Sequence, residues 1–150
     1  MGCIPRIVSP SSTSGETFCR VAVLDDDPDA ADAVAAVLNG NGLQATPFNT
    51  VAGLLTACGT AGFDAFVLDW MLQDSTALGL IRTLRAQRHF ASVPVFVLSG
   101  SPPLCGLPSD VTLRRAVASY DLEFRIKPFS VLRLAREVLT AICSRSPRTR

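Results

Sequence analysis

Short apolar runs alternate with amphipathic stretches from about residue 20 onward. The runs at 20–24, 65–68 and 94–98 are almost continuously apolar. Runs that short suit strands buried on both faces, as in a parallel sheet. A weaker run at 43–48 contains Pro47, which places it near a sheet edge; a last run lies at 123–126. Between them, apolar residues recur at helical spacing. Asp27 and Pro28 open a helix as N-cap and first residue. Val34, Val37 and Leu38 form its expected core stripe, and Asn-Gly-Asn-Gly at 39–42 closes it with residues tolerant of left-handed backbone. Further helices are expected over 50–58, over 78–88 with Leu80, Ile81 and Leu84 inward, and, shorter, around 111–119. Ser130 caps a final helix whose inward face reads Leu132, Ala135, Val138, Leu139 and Ile142. Residues 101–110, rich in proline, read as loop.

Five strands alternating with helices imply an α/β fold, a doubly wound parallel sheet with helices on both faces in three layers. Ligands in such folds bind beyond the carboxyl ends of the strands. Four strands here end in polar residues: Asp25-Asp26, Asp69, Ser99 and Lys127. Carboxylates brought that close repel; two unit charges 4 Å apart cost about 4 kcal/mol at an effective dielectric of 20. A divalent cation is the natural compensation, and oxygen ligands favour Mg²⁺. Lys127 and the Ser99 hydroxyl then suit the far side of a phosphoryl group, with Asp69 as nucleophile.

Composition narrows this picture. A chain of 150 residues, 48% apolar, suits one domain with a proper core. Net charge is only +1, which gives no general argument for nucleic acid. Up to residue 80 the basic residues are Arg6 and Arg20, and the rest follow. The five cysteines, at 3, 19, 58, 105 and 143, include no metal-binding spacing. Free thiols in a reducing cytoplasm are the simple reading. There is no apolar run long enough to span a membrane and no secretory pattern. The expected organisation is a flexible leader at 1–18, a domain at 19–143 and a basic tail at 144–150. His89, the single histidine, reads as a surface residue. The stretch 39–63 carries no charge, which leaves open an ordinary surface or a contact surface.

Four motifs, VLDDDPD at 23–29, FDAFVLDWML at 63–72, VPVFVLSG at 93–100 and RIKPF at 125–129, together resemble the response-regulator receiver domains of two-component signalling. The resemblance covers about residues 20–143. It implies a flavodoxin-like sheet in the order 2-1-3-4-5, an order that belongs to that family's known fold. It also implies roles: Asp26 directly, and Asp25 largely through water, hold Mg²⁺ with the backbone carbonyl of Met71. Asp69 is both the phosphoacceptor and a further metal ligand. Ser99 is the switch hydroxyl, Phe124 the switch aromatic, and Lys127 the phosphoryl contact. The implied donor is a sensor histidine kinase or a histidine phosphotransfer protein. The implied output is a face of the fourth helix, last strand and last helix. That face carries Arg114, Arg115, Tyr120, Arg125, Arg133 and Arg136 and would meet a downstream protein or a second copy.

The chain departs from the family pattern where Gln73 and Ala77 replace a usual Pro and Gly, and where Phe124 replaces the commoner Tyr. Ala77 implies either that no left-handed residue is needed there or that the helix starts earlier. The positions of Met71 and Ser101 tune water access in this family, and a bulky Met71 implies slow self-dephosphorylation. No DNA-reading helix pair is seen after residue 143, so a stand-alone cytoplasmic receiver is expected, a signalling module rather than an enzyme. Two other classes share part of this pattern. An aspartate-nucleophile phosphatase of the haloacid dehalogenase type would use Asp25, Asp27, Ser99 and Lys127. It would still lack its later acidic pair and leave Asp69 unexplained. A receiver that binds partners without phosphorylation is the other.

Overall fold

Residues of alternate parity along each strand face opposite layers, and this divides the core in two. In a computed structural model, described over residues 18–100, 103–104, 107–108 and 110–145, five strands form one sheet. They are β1 (Arg20–Leu24), β2 (Gln44–Phe48), β3 (Ala65–Asp69), β4 (Val95–Ser99) and β5 (Glu123–Ile126). All pairings are parallel, in the spatial order β2-β1-β3-β4-β5. Pro47 therefore does lie on an edge strand. The helices are α1 (Pro28–Asn39), α2 (Val51–Cys58), α3 (Leu78–Ala86), α4 (Val111–Tyr120) and α5 (Val131–Arg145).

Val21, Val23, Ala65, Val67, Phe96 and Leu98 face a layer built from α1 and α5. Ala22, Leu24, Phe66, Leu68, Val95 and Val97 face α2, α3 and α4. Each fully buried Val, Leu or Phe is worth about 1.5–3 kcal/mol, so strands of only five residues are held firmly from both sides. The expected α/β sheet with two covered faces is what the chain forms.

Several local expectations change. The inward stripe of α1 is Ala31, Ala35 and Leu38, with Val34 and Val37 half-buried. Helix α1 packs against α5, and alanines at that contact let the axes approach. In α5 the buried line is Leu134, Ala135, Val138 and Ile142. Leu132 and Leu139, seven residues apart, fall together on the neighbouring stripe and are 47% and 39% exposed. Helix α3 stops at Ala86, and a 3₁₀ turn follows at Arg88–Phe90. The Arg85 guanidinium holds that corner by donating to the carbonyls of Phe90, Val93 and Tyr120 at 2.8, 2.7 and 3.0 Å. At the end of α1, Gly40 keeps right-handed backbone (φ −66°), and the left-handed residue is Gly42 at φ +86°. Within the expected 101–110 loop, Pro103–Leu104 pairs antiparallel with Leu107–Pro108. Helix α4 is a full ten residues, capped by Asp110.

The leader before Phe18, with Cys3, lies outside the described residues, as do Ser101, Cys105 and 146–150. Helix α5 runs on through Ser144 and Arg145, and the Arg145 guanidinium bonds the Asp121 carboxylate at 3.1 Å and the Ser92 carbonyl at 3.3 Å. Cys19, Cys58 and Cys143 are free thiols. Among the described residues no helix is long and apolar enough to cross a membrane. His89 is exposed, with its ring against Phe90.

Candidate functional site

Parallel pairing sets the site because it continues one residue past the strands. The Asp25 N–H donates to the Phe48 carbonyl (3.1 Å), the Trp70 N–H to Leu98 (2.8 Å) and the Lys127 N–H to Ser99 (2.8 Å). Asp69 lies opposite Leu98, and Ser99 lies opposite Ile126. Asp25 and Asp69 are thereby level on one sheet edge, and Ser99 and Lys127 each sit a single step further along it.

Carboxylate oxygens of Asp25, Asp26 and Asp69 lie within 4.8 Å of one another. Asp25 and Asp69 are buried, at 8% and 7% exposure, and Asp26 faces solvent. The Lys127 ammonium stands 3.2 Å from Asp69 Oδ1 and 3.6 Å from Asp25 Oδ2. Asp25 is oriented by a turn in which its Oδ1 accepts the Asp27 N–H at 3.0 Å. Asp27 does not join the cluster as a ligand; its own carboxylate caps α1 by accepting the Asp29 N–H at 3.0 Å. That removes the second acid of the Asp-x-Asp pair the phosphatase reading needs.

Burial pushes the Asp69 carboxyl above the ordinary carboxylate range. Lys127 opposes that, and the Asp25 and Asp26 charges add to it. Burial alone would lower the Lys127 ammonium, but the Asp69 and Asp25 carboxylates outweigh it and hold the ammonium above the usual lysine range. Among the described residues one cation thus pairs with two of the three clustered acids, so acidic groups outnumber basic ones there. The donors are carboxylate oxygens, with no His or Cys among them. That set fits a hard cation such as Mg²⁺ and not zinc. Asp26 and the polar residues Thr50, Gln73, Asp74 and Ser75 line a hollow of about 210 Å³ beside the cluster.

Ser99 is 3% exposed at the end of β4. Phe124 is half-buried in β5, opposite Val97. Met71 pairs with Thr76 in a single antiparallel bridge, and its side chain is 57% exposed. Ala77 has φ −71°, so no left-handed residue is needed where the resemblance would have had glycine. On the face expected for output, Arg125 and Arg133 both bind Glu137, at 2.6 and 3.0 Å. Tyr120 points elsewhere: its hydroxyl accepts from Arg82 Nε of α3 at 3.2 Å. The uncharged stretch places Ala52, Gly53 and Thr56 of α2 at the surface.

One contact near the site escaped the sequence reading. Trp70, next to Asp69, donates its indole N–H to Asp110 Oδ2 at 2.8 Å. Asp110 before a helix carries an N-cap signal, but nothing in the sequence pairs it with a residue forty positions away.

No protein-family model matches the chain. An 80-residue stretch is 32% identical to the DNA-binding response regulator MtrA of Mycolicibacterium smegmatis, covering 53% of this chain and 34% of that protein. The match thus spans about a third of the relative's length. Solved structures agree over much more of the chain. The receiver domain of the Francisella response regulator 1452 superposes with a TM-score of 0.70 at 23% identity, covering 85% of this chain and 98% of that one. The Vibrio cholerae chemotaxis protein CheY4 gives a TM-score of 0.71 at 16% identity, with 83% and 98% covered. The Asp25, Asp26 and Asp69 cluster lies at the carboxyl ends of β1 and β3, the edge where doubly wound sheets bind ligands. The five-stranded parallel sheet, its strand order and these neighbours agree: the chain has the fold of the response-regulator receiver domains.

Proposed function

We propose that the chain is a phosphoacceptor receiver of a two-component phosphorelay, with Asp69 accepting a phosphoryl group from a histidine kinase or a histidine phosphotransfer protein. The carrying observation is the Lys127 ammonium at 3.2 Å from Asp69 and 3.6 Å from Asp25, inside a cluster of three converging carboxylates. A buried Asp69 between a cation and two further acids has no evident structural use, whereas an aspartyl nucleophile needs this setting.

Asp25, Asp26 and the Met71 carbonyl would hold Mg²⁺, which when bound supplies positive charge against the phosphoryl oxygens. An Asp69 carboxylate oxygen attacks phosphorus, the donor's P–N bond breaks, and the electron pair returns to the imidazole nitrogen, which takes up a proton. Lys127 leaves its pairing with the free carboxylate and turns to the new dianion. The Ser99 hydroxyl donates to a phosphoryl oxygen. Phe124, with no hydroxyl of its own, then packs inward as an apolar switch. The face of α4, β5 and α5 changes with it and meets a downstream protein or a second copy of the chain. Exposed, apolar Met71 offers attacking water no hydrogen bond, which favours slow loss of the phosphoryl group.

Incubation with acetyl phosphate and Mg²⁺ should add one phosphoryl mass to the wild type and none to Asp69→Asn. An unshifted wild-type mass, or an equal gain in the variant, would end this reading. Turnover of p-nitrophenyl phosphate would point instead to a phosphatase. Radiolabel loss should accelerate in Met71→Asn.

A further inference from the structure

Trp70 joins the phosphoacceptor loop to the first turn of α4 through one carboxylate. Its indole N–H reaches Asp110 Oδ2 at 2.8 Å. The other oxygen of the same carboxylate, Oδ1, accepts the N–H groups of Thr112 and Leu113 at 2.8 and 3.2 Å. Those are two of the donors that a helix start leaves without intrahelical partners. Asp110 therefore does two jobs at once, and the two bonds share a rigid group.

The Trp70 end is equally fixed. Its N–H donates to the Leu98 carbonyl at 2.8 Å, and its carbonyl accepts the Ala77 N–H at 2.9 Å. Its ring is 1% exposed and packs in the same core cluster as Leu113 and Ala116 of α4. Trp70 is covalently adjacent to Asp69. A displacement at Asp69 has little room to be absorbed by the ring, because close-packed cores transmit strain. The indole donates to a carboxylate, and such charge-assisted bonds are the stronger and more directional kind. The Trp70 bond is also the leading reason the Asp110 carboxyl is held below the ordinary range.

We propose that Trp70 and Asp110 are positioning residues that couple the state of Asp69 to the N-terminus of α4, by a route separate from Ser99 and Phe124. This rests on reading Asp69 as the site that changes. Occupation or neutralisation of Asp69 shifts Trp70, the shared carboxylate follows, and the cap on Thr112 and Leu113 loosens or tightens with it. The coupling is reciprocal by linkage: whatever binds α4 and moves Asp110 alters the site in turn.

Two variants separate the latch from the cap. Asp110→Asn retains one oxygen for the backbone donors but turns an NH₂ toward the indole donor. Trp70→Phe keeps the ring and deletes the donor. Hydrogen exchange of Thr112 and Leu113 is read under two perturbations of the site: acetyl phosphate with Mg²⁺, and the Asp69→Asn substitution. The proposal expects a several-fold change in exchange at those amides in the otherwise wild-type chain, and its near-disappearance in both latch variants. An equal response in the latch variants, or no response to either perturbation in the wild type, would overturn it. Should acetyl phosphate add no mass, the phosphoacceptor reading fails, while the Asp69→Asn arm still decides the coupling. Should Trp70→Phe unfold, Asp110→Asn decides alone.

Discussion

The Lys127 ammonium lies 3.2 Å from Asp69 Oδ1, although 58 residues separate them along the chain. Pairing of β4 with β3 on one side and β5 on the other makes them near neighbours. Among the described residues Lys127 is the one basic group in ion-pair contact with the acidic cluster, and the consequences of removing it follow from that.

Lys127→Met should lower the thermal midpoint at neutral pH, because the Asp25 and Asp69 carboxyls would lose their counter-ion. The Lys127 side chain is 36% exposed, so solvent screening limits the loss to about 1 kcal/mol. That corresponds to roughly 2–4 °C in a chain of this size. Thermal melts with and without Mg²⁺ check it: the cation should recover part of the loss.

Asp69→Asn should stabilise the metal-free protein at neutral pH. Folded Asp69 binds its proton more tightly than it does unfolded, since its carboxyl is raised by burial. The folded state then holds the extra proton, and stability falls as pH rises through the raised folded value. Asparagine has no such dependence. The variant should melt higher at pH 7, and the gap should close at a pH below the ordinary carboxylate range. A constant gap across pH would contradict the raised carboxyl.

Mg²⁺ should raise the melting temperature and EDTA should reverse the gain. At about 100 times its dissociation constant a ligand adds about 2.7 kcal/mol, or roughly 5–10 °C here. Asp26→Asn should lose most of this gain with little change in baseline stability, because Asp26 is exposed in the cluster. Scanning fluorimetry across a Mg²⁺ titration measures both.

Arg85→Met should destabilise without touching the site. The guanidinium donates to carbonyls from three places, Phe90, Val93 and Tyr120, and binds the end of α3 to the ends of α4 and the 3₁₀ turn. Burial lowers the Arg85 group from its usual range, so it sits there at some expense. Losing these bonds should cost about 2–3 kcal/mol. Urea melts measure the loss, and phosphoryl uptake from acetyl phosphate below the melt should be unchanged.

Strand identity, layer count and the members of the acidic site were legible in the sequence because each rests on a local signal. Continuous apolar runs mark strands buried on both sides, and the polar residue ending each run marks the edge where ligands bind. Helix faces were less legible. In α5 the pattern of leucines allowed either of two adjacent stripes, and only packing against α1 and the sheet selected Leu134 over Leu132 and Leu139. The alanine stripe of α1 was hidden by its more hydrophobic neighbours, since closeness of approach, not side-chain hydropathy, decides that contact.

The sequence by itself determined that carboxylates, a hydroxyl and an amine would terminate parallel strands on one edge. Tertiary structure alone decided the rest: that Asp27 turns away to cap α1, that Lys127 is shared between Asp25 and Asp69, and that Trp70 meets Asp110. The reason is range. Strand and cap signals are written within a few residues, whereas a hydrogen bond across forty positions depends on where two separately formed elements come to rest.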